Sequence, residues 1–368
     1  MAELLPLYSD NPRSIPASEQ AERLLHHLGD NRSALRNSGI TFGRSRVAVD
    51  PACFRSGLCL YGCPHKLIYN SADTLAELSQ HPRFRYRGDV VVNRIEESNG
   101  GVSILARSRS DGSPQNFRGD RVFLACGTIA TTRILLESLN AYDQPVTLRD
   151  SQYYNFPMMQ FNRTKHVRDE RLHTLVQVFL EILDPLISEY LVSLQLYSYN
   201  DLYEKSLRSM FGQAYRFLRW PLESLVSRLW VVQGYLHSSI SPTISTRLER
   251  PRSDEAGVLH LERVDCEAAP KAIRQVLKKL FRHRAHLRSV PLSPMLKRGN
   301  PGRGFHTGGS FPMRSTPGPP ETDTLGRPPG FERVHAVDAT VFPSIPATTI
   351  TLTVMANAHR IGAACQEF

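Results

Sequence analysis

Several features are scarce or missing in this sequence, and each absence narrows the class of protein. No apolar run reaches the roughly 18 residues that a membrane-spanning helix requires. The first residues, MAELLPLYSDNPRSIP, contain no basic segment followed by an apolar one, so we expect no secretory signal. The 368 residues include six cysteines, too few for a disulfide scaffold at this length. These absences favour a reducing compartment and a cytoplasmic protein.

Positive charge is concentrated between residues 271 and 303, where no Asp or Glu interrupts it, and the net charge of the chain is +10. One interpretation is a solvated helix face followed by a basic loop. The other is an anionic partner: a phosphorylated or lipid-linked substrate, or a membrane surface that would make the protein membrane-peripheral. We expect no nucleic acid, because no recognition fold or aromatic-interleaved patch accompanies the charge. The basic residues are Lys271, Arg274, Lys278, Lys279, Arg282, Arg284, Arg288, Lys297, Arg298 and Arg303.

The first part of the chain alternates helix and strand patterns. Apolar spacing and capping residues predict helices over 17–29, 71–80 and 128–139. Runs rich in Val and Ile predict strands over 84–98, 101–109 and 120–127. The last of these strands ends in Gly127-Thr128 and a helix follows directly, an arrangement that places backbone N–H groups against a phosphate or a flavin.

From about residue 150 the pattern changes to long runs rich in Val, Leu and Tyr, which predict strands. Residues 201–226 predict a helical pair interrupted by Pro221, and 270–290 a basic helix. Such strand runs favour an antiparallel sheet covered by helices on one side. Residues 314–330 hold five prolines and are typical of a surface loop.

Two segments near the end of the sequence carry the clearest chemical signal, FHTGGSFPM at 305–313 and VHAVDATVFPSIPATTITLTVMANAHRIG at 334–362. His306 lies in a glycine-rich turn, Asp338-Ala339 ends a β-rich run, and a proline-bounded loop leads into an apolar helix. A lone histidine is more often structural than catalytic. This order of segments, however, resembles the C-terminal signature of the glucose-methanol-choline family of FAD-dependent oxidoreductases. The resemblance implies hydride abstraction from an alcohol carbon.

The resemblance also implies roles for individual residues. His306 matches the histidine that takes the hydroxyl proton, and a base with a pKa near the operating pH suits that step. Thr349 stands where the family usually has His or Asn; a hydroxyl can hydrogen-bond the substrate oxygen but cannot serve as an acid or base near neutral pH. The alternative for this threonine-rich segment is a polar N-cap before a buried helix. The implied FAD contacts are Val92, Gly127, Thr128, Asp338 and Ala339.

Three cysteines, Cys53, Cys59 and Cys63, are spaced C-x5-C-x3-C in CFRSGLCLYGCPH. Three interpretations stay open. The cysteines are packing residues in a loop that crosses the flavin; or they bind an iron–sulfur cluster, as the resemblance to sugar dehydrogenases of the same family implies; or they bind zinc with His65 as the fourth ligand.

Members of this family begin with a strand, a G-x-G-x-x-G turn, a helix and an acidic residue that binds the ADP ribose. The 368 residues contain no such pattern, and the nearest glycine cluster, 302–309, does not open a helix after a strand. The resemblance covers residues from about 38 to 368. We therefore expect a fragment, a mis-started reading frame or a natural variant without the phosphate cradle, which binds FAD weakly or not at all.

Together these observations predict a mixed α/β fold with an incomplete FAD-binding domain and an antiparallel-sheet substrate domain covered by helices. The predicted divisions are 1–147 for the FAD-binding domain, 148–300 for the substrate-binding domain and 301–368 for a return to the first domain. The resemblance implies oxidation of a sugar or polyol-like alcohol, and it allows an electron-acceptor subunit as a partner. The alternative is an FAD-free paralogue that acts as a binding or scaffolding subunit through residues 271–303.

Overall fold

The structure, a computed structural model, describes residues 15–251, 257–300, 302 and 305–365. The segment from which we expected no secretory signal lies largely outside these ranges, and so does Arg303 of the basic stretch. Within the described ranges, every helix is too short or too polar to cross a bilayer.

The described chain begins with helices α1 (Glu19–Asp30) and α2 (Arg32–Asn37) and strand β1 (Ile40–Arg44). The helix predicted over 17–29 is present, and its N-terminus is capped by Ser18, whose Oγ accepts a hydrogen bond from the Ala21 N–H at 3.2 Å. After the cysteine segment comes α3 (Ser71–Leu78), also as predicted.

A three-stranded antiparallel sheet follows, formed by β2 (Val90–Ser98), β3 (Gly101–Ser108) and β4 (Pro114–Gly119). The chain then enters β5 (Val122–Leu124) and helix α4 (Thr128–Ser138). The predicted strand-to-helix junction is therefore present, and the α4 helix packs against β2.

A larger antiparallel sheet forms the centre of the second part, in the order β1-β8-β9-β10-β7-β13, with β14 paired to β7. Alternating residues of its strands put Tyr154, Phe156 and Trp230 on one face, where all three are fully buried. Helices α1 and α7 contribute their apolar residues to the same core. The prediction of an antiparallel sheet covered by helices on one side is confirmed. The new elements are β7 (Tyr153–Gln160), β8 (Val178–Asp184), β9 (Ser188–Tyr197), β10 (Leu229–Tyr235), α7 (Ala268–Arg282), α8 (Arg284–Leu287), β13 (Ser289–Pro291) and β14 (Lys297–Arg298).

Two smaller sheets connect the parts. The first has the order β12-β11-β6-β15, and in the second β16 pairs in parallel with β5. The last helix, α9, follows the proline-bounded loop. The new elements are β6 (Pro145–Asp150), β11 (Thr243–Glu249), β12 (Val258–Val264), β15 (Thr307–Gly308), β16 (Val334–Ala336) and α9 (Thr351–Ala364).

Two sequence expectations about helices were wrong. The helical pair, α5 (Asp201–Phe211) and α6 (Tyr215–Val226), breaks at Gly212, which adopts φ +51°, and Pro221 lies inside α6. Glycine adopts a positive φ at little steric cost, so it is the usual residue at which a helix ends. The α9 helix is capped by Ile350 without a side-chain hydrogen bond, and it buries only Ile361 along its length, so it is not a polar-capped, buried helix.

The apolar core divides into two main clusters. One unites α1, α2 and β1 with the large antiparallel sheet and α7. The other unites β2, β5 and α4 with β16 and the loop before α9. Residues 17–42 therefore pack with the large sheet, although they were assigned to the first domain from the sequence; the domain boundaries stay a prediction.

We predict that Gly234→Ala destabilises the large sheet by about 3 kcal/mol or more, because inserted core volume forces side chains out of place. A Cβ atom at Gly234 would lie 2.2 Å from Cζ of the buried Tyr154 ring. The matched control is Gly29→Ala in α1, where a Cβ would meet no atom within 4 Å and should add about 0.5–1 kcal/mol of helix stability. Urea unfolding measures both, and equal midpoints for the two variants would contradict the account.

Candidate active site

The glycine-rich turn after His306 packs directly against the turn that follows β16. The Gly309 N–H donates to the Ala339 carbonyl oxygen at 2.9 Å. A Cβ atom at Gly308 would lie 2.3 Å from that same oxygen, so no larger residue fits between the two turns. The close backbone approach explains why the turn needs glycine, and it places His306 beside the Asp338-Ala339 pair.

Asp338 joins this arrangement to the start of α4. Because β5 and β16 are parallel, their carboxyl ends meet at one edge, where Asp338 faces Gly127. Its Oδ2 accepts from the Gly127 N–H at 3.0 Å and from the Thr131 hydroxyl at 2.5 Å, and its Oδ1 accepts from the Thr340 N–H at 2.9 Å. The carboxylate thus connects the end of β5, the α4 helix and the turn after Asp338.

Thr128 links the same helix terminus to the histidine turn, since its hydroxyl donates to the Thr307 carbonyl oxygen at 2.9 Å. The structure therefore brings together five residues that the sequence separates by more than two hundred positions. These are Gly127, Thr128, His306, Asp338 and Ala339.

The N-terminus of α4 is open on its outer side. Gly127 adopts φ +84°, and a Cβ atom there would meet no described atom within 4 Å. Cys126 and Ile129, on either side, are exposed. The first intrahelical bond runs from the Thr131 N–H to the Gly127 carbonyl, so the N–H groups of residues 128–130 have no acceptor within the helix and can meet an anionic or electron-rich group. Burial and the nearby Asp338 carboxylate raise the pKa of the Cys126 thiol, which stays uncharged.

Val92 contacts α4 at a different point from Asp338. It lies at a bulge of β2, and its carbonyl oxygen accepts from Nη2 of Arg133 at 2.5 Å. Its backbone is thus tied to α4 by Arg133 instead of by Asp338. Its role as a cofactor contact stays a prediction.

His306 is buried, with 8% of its surface exposed, and its Nδ1 has no hydrogen-bond partner among the described residues. Burial lowers the pKa of its imidazole to about 4. The ring is therefore neutral near pH 7, with a lone pair available to receive a proton. The Ser151 N–H donates to the His306 carbonyl at 3.1 Å, and the ring centroid lies 4.9 Å from that of Tyr235.

Asp150 anchors the chain that leads into this turn, which the sequence analysis did not detect. Its Oδ2 accepts from the Gly302 N–H at 3.1 Å, and Thr307 pairs with it between β15 and β6. Burial raises the pKa of the Asp150 carboxyl to about 6. The residue is a single acid in a strand, so no spacing pattern could have revealed it.

Thr349 is exposed in the loop before α9, and in the described part of the chain no hydrogen bond joins it to His306. The expected substrate-positioning role of Thr349 stays a prediction, without support from a contact.

The face of the large sheet opposite the core is polar, and it extends from His306. Across β9, β10 and β7, Gln233 stands opposite both Gln195 and Asn155, and in the next row Tyr235 stands opposite Tyr153. The Asn155 amide donates to the Tyr153 hydroxyl at 3.1 Å. Alternation within YYNFPMM and LWVVQGY does not predict this face, because the same side of the strands is apolar at Pro157 and Val231, and only the pairing of the strands brings the polar positions together.

Tyr197 and Tyr235 on this face keep their protons. Burial raises the pKa of Tyr197 to about 12 and raises that of Tyr235 further. The Tyr197 hydroxyl donates to Gln195 at 3.4 Å, and the Tyr235 hydroxyl to Gln233 at 3.5 Å. The face therefore offers neutral hydroxyl and amide groups. We call Tyr153, Asn155, Gln195, Tyr197, Gln233 and Tyr235 the polar face.

The cysteine segment forms an irregular loop outside the turn region. Phe54 packs edge-on against the His65 ring at 4.5 Å, and the three cysteines are half-buried and unpaired. A single zinc ion needs its ligand atoms within about 4 Å of one another. In the described ranges, only His26, His27 and Asp30 of α1 meet a comparable spacing of 4.8 Å, so zinc binding by Cys53, Cys59, Cys63 and His65 is not supported. An iron–sulfur cluster spaces its thiolates further apart because each binds a different iron, and that interpretation stays a prediction.

The structure is similar to the crystal structure of pyridoxine 4-oxidase from Mesorbium loti, with a TM-score of 0.60 at 12% identity, covering 95% of this chain and 70% of that chain. An FAD-dependent oxidoreductase from Chaetomium thermophilum matches with a TM-score of 0.46 at 13% identity, covering 79% of this chain and 63% of that chain. Formate oxidase from Aspergillus oryzae RIB40 matches with a TM-score of 0.48 at 15% identity, covering 76% of this chain and 60% of that chain.

Searches against protein-family models and against curated proteins give no match. At 12% identity the likeness to pyridoxine 4-oxidase shows the fold alone. The mixed α/β fold predicted from the sequence is thereby confirmed, and the resemblance to glucose-methanol-choline oxidoreductases is confirmed at the level of the fold.

We predict that His306 makes folding pH-dependent. The unfolded chain binds a proton below about pH 6.5, whereas native His306 binds it only near its pKa of about 4. The free energy of unfolding therefore falls as the pH drops from about 6.5 towards 4, by about 2 kcal/mol at pH 4.5. His306→Gln removes this loss.

Other buried groups titrate in this range but are common to both proteins. His173, whose pKa burial also lowers to about 4, acts in the same direction, as do His237 and His335, whose pKa values burial lowers, and Asp150 acts in the opposite one. The difference between wild type and His306→Gln in urea unfolding at about pH 7 and pH 4.5 thus isolates His306. Parallel pH dependence in the two proteins would contradict the burial of a neutral imidazole.

Proposed function

We propose that this chain is a flavin-dependent oxidoreductase of the glucose-methanol-choline type that oxidises an alcohol group of a neutral, polyhydroxylated substrate. The observation that carries the proposal is His306: a buried, neutral imidazole without a described partner at Nδ1, between the Gly127–Asp338 junction and the polar face. Burying a polar atom without a partner is unfavourable, and binding of a hydroxyl group would relieve that penalty.

The chemistry assigned to His306 is proton removal. An alcohol carbon releases hydride readily only as its oxygen becomes alkoxide-like, so a base must take the hydroxyl proton. A neutral imidazole can do so, and the pKa of about 4 set by burial in this chain is the value without substrate or cofactor charge nearby. FAD, when bound, supplies the hydride acceptor.

The residues that would hold FAD fit that group chemically. Gly127 leaves open space at the α4 N-terminus, where free N–H groups favour an anion or an electron-rich ring edge. The Thr128 hydroxyl is hydrogen-bonded to Thr307 and the Asp338 carboxylate to Gly127. Both side chains therefore stabilise the edge where β5 and β16 end, and they do not block the open space beside Gly127. We propose no acceptor for the electrons after FAD, neither an iron–sulfur cluster nor a separate subunit.

The polar face supports the substrate class. Its six side chains carry three amides and three hydroxyls and no charge. Amides and hydroxyls both donate and accept, which suits a ligand whose own hydroxyl groups do the same. A carboxylate or phosphate substrate would find no cation among these six residues.

We predict that His306→Ala lowers the rate of flavin reduction by polyols by about 100-fold to 10,000-fold at saturating FAD, the usual contribution of a general base. Anaerobic mixing with a panel of sugars and polyols, followed by flavin absorbance, measures the rate. The matched control is Thr349→Val, which we expect to lower the rate less than about 10-fold because Thr349 is exposed and cannot exchange a proton at neutral pH.

The kinetic constants of the variants distinguish the proposed role of His306 as a base from that of Tyr235 as a substrate-binding residue. Tyr235→Phe should raise KM more than it lowers kcat, because the hydroxyl binds substrate on the polar face. Flavin content of the same samples tests the expectation that the chain alone holds FAD weakly. A His306→Ala chain that reduces flavin at the wild-type rate would remove the proposal.

A further inference from the structure

A protruding hairpin and the outer face of α7 together form an exposed surface with both apolar and basic groups. The turn between β8 and β9 carries Leu186, which is 91% exposed. On α7, Phe281 is 51% exposed. Single exposed apolar residues are ordinary, but exposed apolar surface rimmed by polar or charged residues marks a protein or membrane contact site.

A buried ion pair fixes the hairpin against the helix. The Lys279 ammonium contacts Oδ2 of Asp184 at 2.6 Å, with the two side chains 10% and 19% exposed. The hydrogen bond from Lys279 and the charge of Arg282 nearby lower the pKa of the Asp184 carboxyl. The ion pair therefore holds the base of the hairpin beside the C-terminal part of α7, with Arg282 near Asp184.

Cations form a stripe along the same side of α7. Arg274, Lys278 and Arg282 follow one another at intervals of four, so they share a helix face with Phe281, and each is exposed. None of the three has an ion-pair partner within the described ranges. Arg284 lies over the Phe281 ring at 4.7 Å.

The stripe does not serve the fold. The opposite side of α7 supplies the core with Ile273, Val276 and Leu280, and that packing is independent of the outer charges. Like charges four residues apart weaken a helix by a few tenths of a kcal/mol each. An exposed stripe that slightly destabilises its helix is explained by a partner that neutralises it.

We propose that this surface binds the anionic phospholipid surface of a membrane. Leu186 and Phe281 would enter the headgroup boundary, while Arg274, Lys278 and Arg282 would meet the phosphates and carboxylates. The surface combines an exposed apolar tip with flanking cations. Such a surface complements a bilayer interface, where anionic headgroups lie above an apolar interior. A nucleic acid would contact the cations and leave Leu186 in water.

The proposal also fits the position of the polar face. The α7 helix covers the apolar face of the large sheet, so the stripe on its outer side faces away from Tyr235 and His306. Membrane contact through the stripe therefore leaves the candidate active site accessible. The inference does not depend on the proposed reaction.

Vesicle co-sedimentation of the whole chain tests it. We expect binding to phosphatidylcholine vesicles that contain about 30% phosphatidylserine and at least about 10-fold weaker binding to pure phosphatidylcholine vesicles. Leu186→Ser should weaken binding about 10-fold, from the loss of one inserted leucine. The combined variant Arg274→Gln, Lys278→Gln, Arg282→Gln should weaken it about 100-fold, at about five-fold for each charge.

Two controls match these changes at sites away from the surface. Leu78→Ser replaces a leucine that is 44% exposed on α3, and Arg118→Gln replaces an exposed arginine on β4. Both should bind like wild type. Equal binding to neutral and anionic vesicles would overturn the proposal. So would a charge-dependent attraction that Leu186→Ser leaves unchanged and that a duplex oligonucleotide reproduces, since that result identifies a general polyanion site.

Discussion

The buried carboxylate of Asp338 is the interaction on which the candidate active site depends. The two strands it terminates, β5 and its parallel partner β16, are three residues long each, and so short a pair has little stability of its own. Asp338 accepts hydrogen bonds from Gly127, Thr131 and Thr340, which belong to a strand end, a helix and a turn. Hydrogen bonds to a charged acceptor are stronger than neutral ones. One side chain therefore links three elements by hydrogen bonds.

The rest of the site follows from that closure. The turn after Asp338 provides the Ala339 carbonyl on which Gly309 docks, and Thr128 ties the helix terminus to Thr307. These two contacts, together with those of Asp150 and Ser151 to the same segment, determine where His306 lies. The surrounding packing then buries its ring, which keeps the imidazole neutral, next to Tyr235 on the large sheet. The buried imidazole and the polar face thus come from different sheets.

Sequence reasoning predicted much of this and missed the rest for identifiable reasons. The order of His306, Asp338 and the Gly127-Thr128 junction was informative because each marks a backbone position with a special requirement: a close approach, a strand end, a helix start. The polar face was missed because it depends on cross-strand register, which places Gln233 beside Gln195 and Asn155 from distant segments. Asp150 and the Lys279–Asp184 pair are long-range contacts of the same kind. The helix break at Gly212 was assigned to Pro221 because a proline in a helix interior usually kinks or breaks the helix.

Amide hydrogen exchange of wild type and Asp338→Ala, followed residue by residue under native conditions, tests this account most directly. The account predicts faster exchange at Gly127 and Thr340, which lose their acceptor, and also at Gly309, which Asp338 does not touch but which its turn supports. Exchange in the core strand β10 should stay as in wild type. Faster exchange confined to Gly127 and Thr340, with Gly309 unchanged, would show that the histidine turn is held independently and would contradict the central role of Asp338.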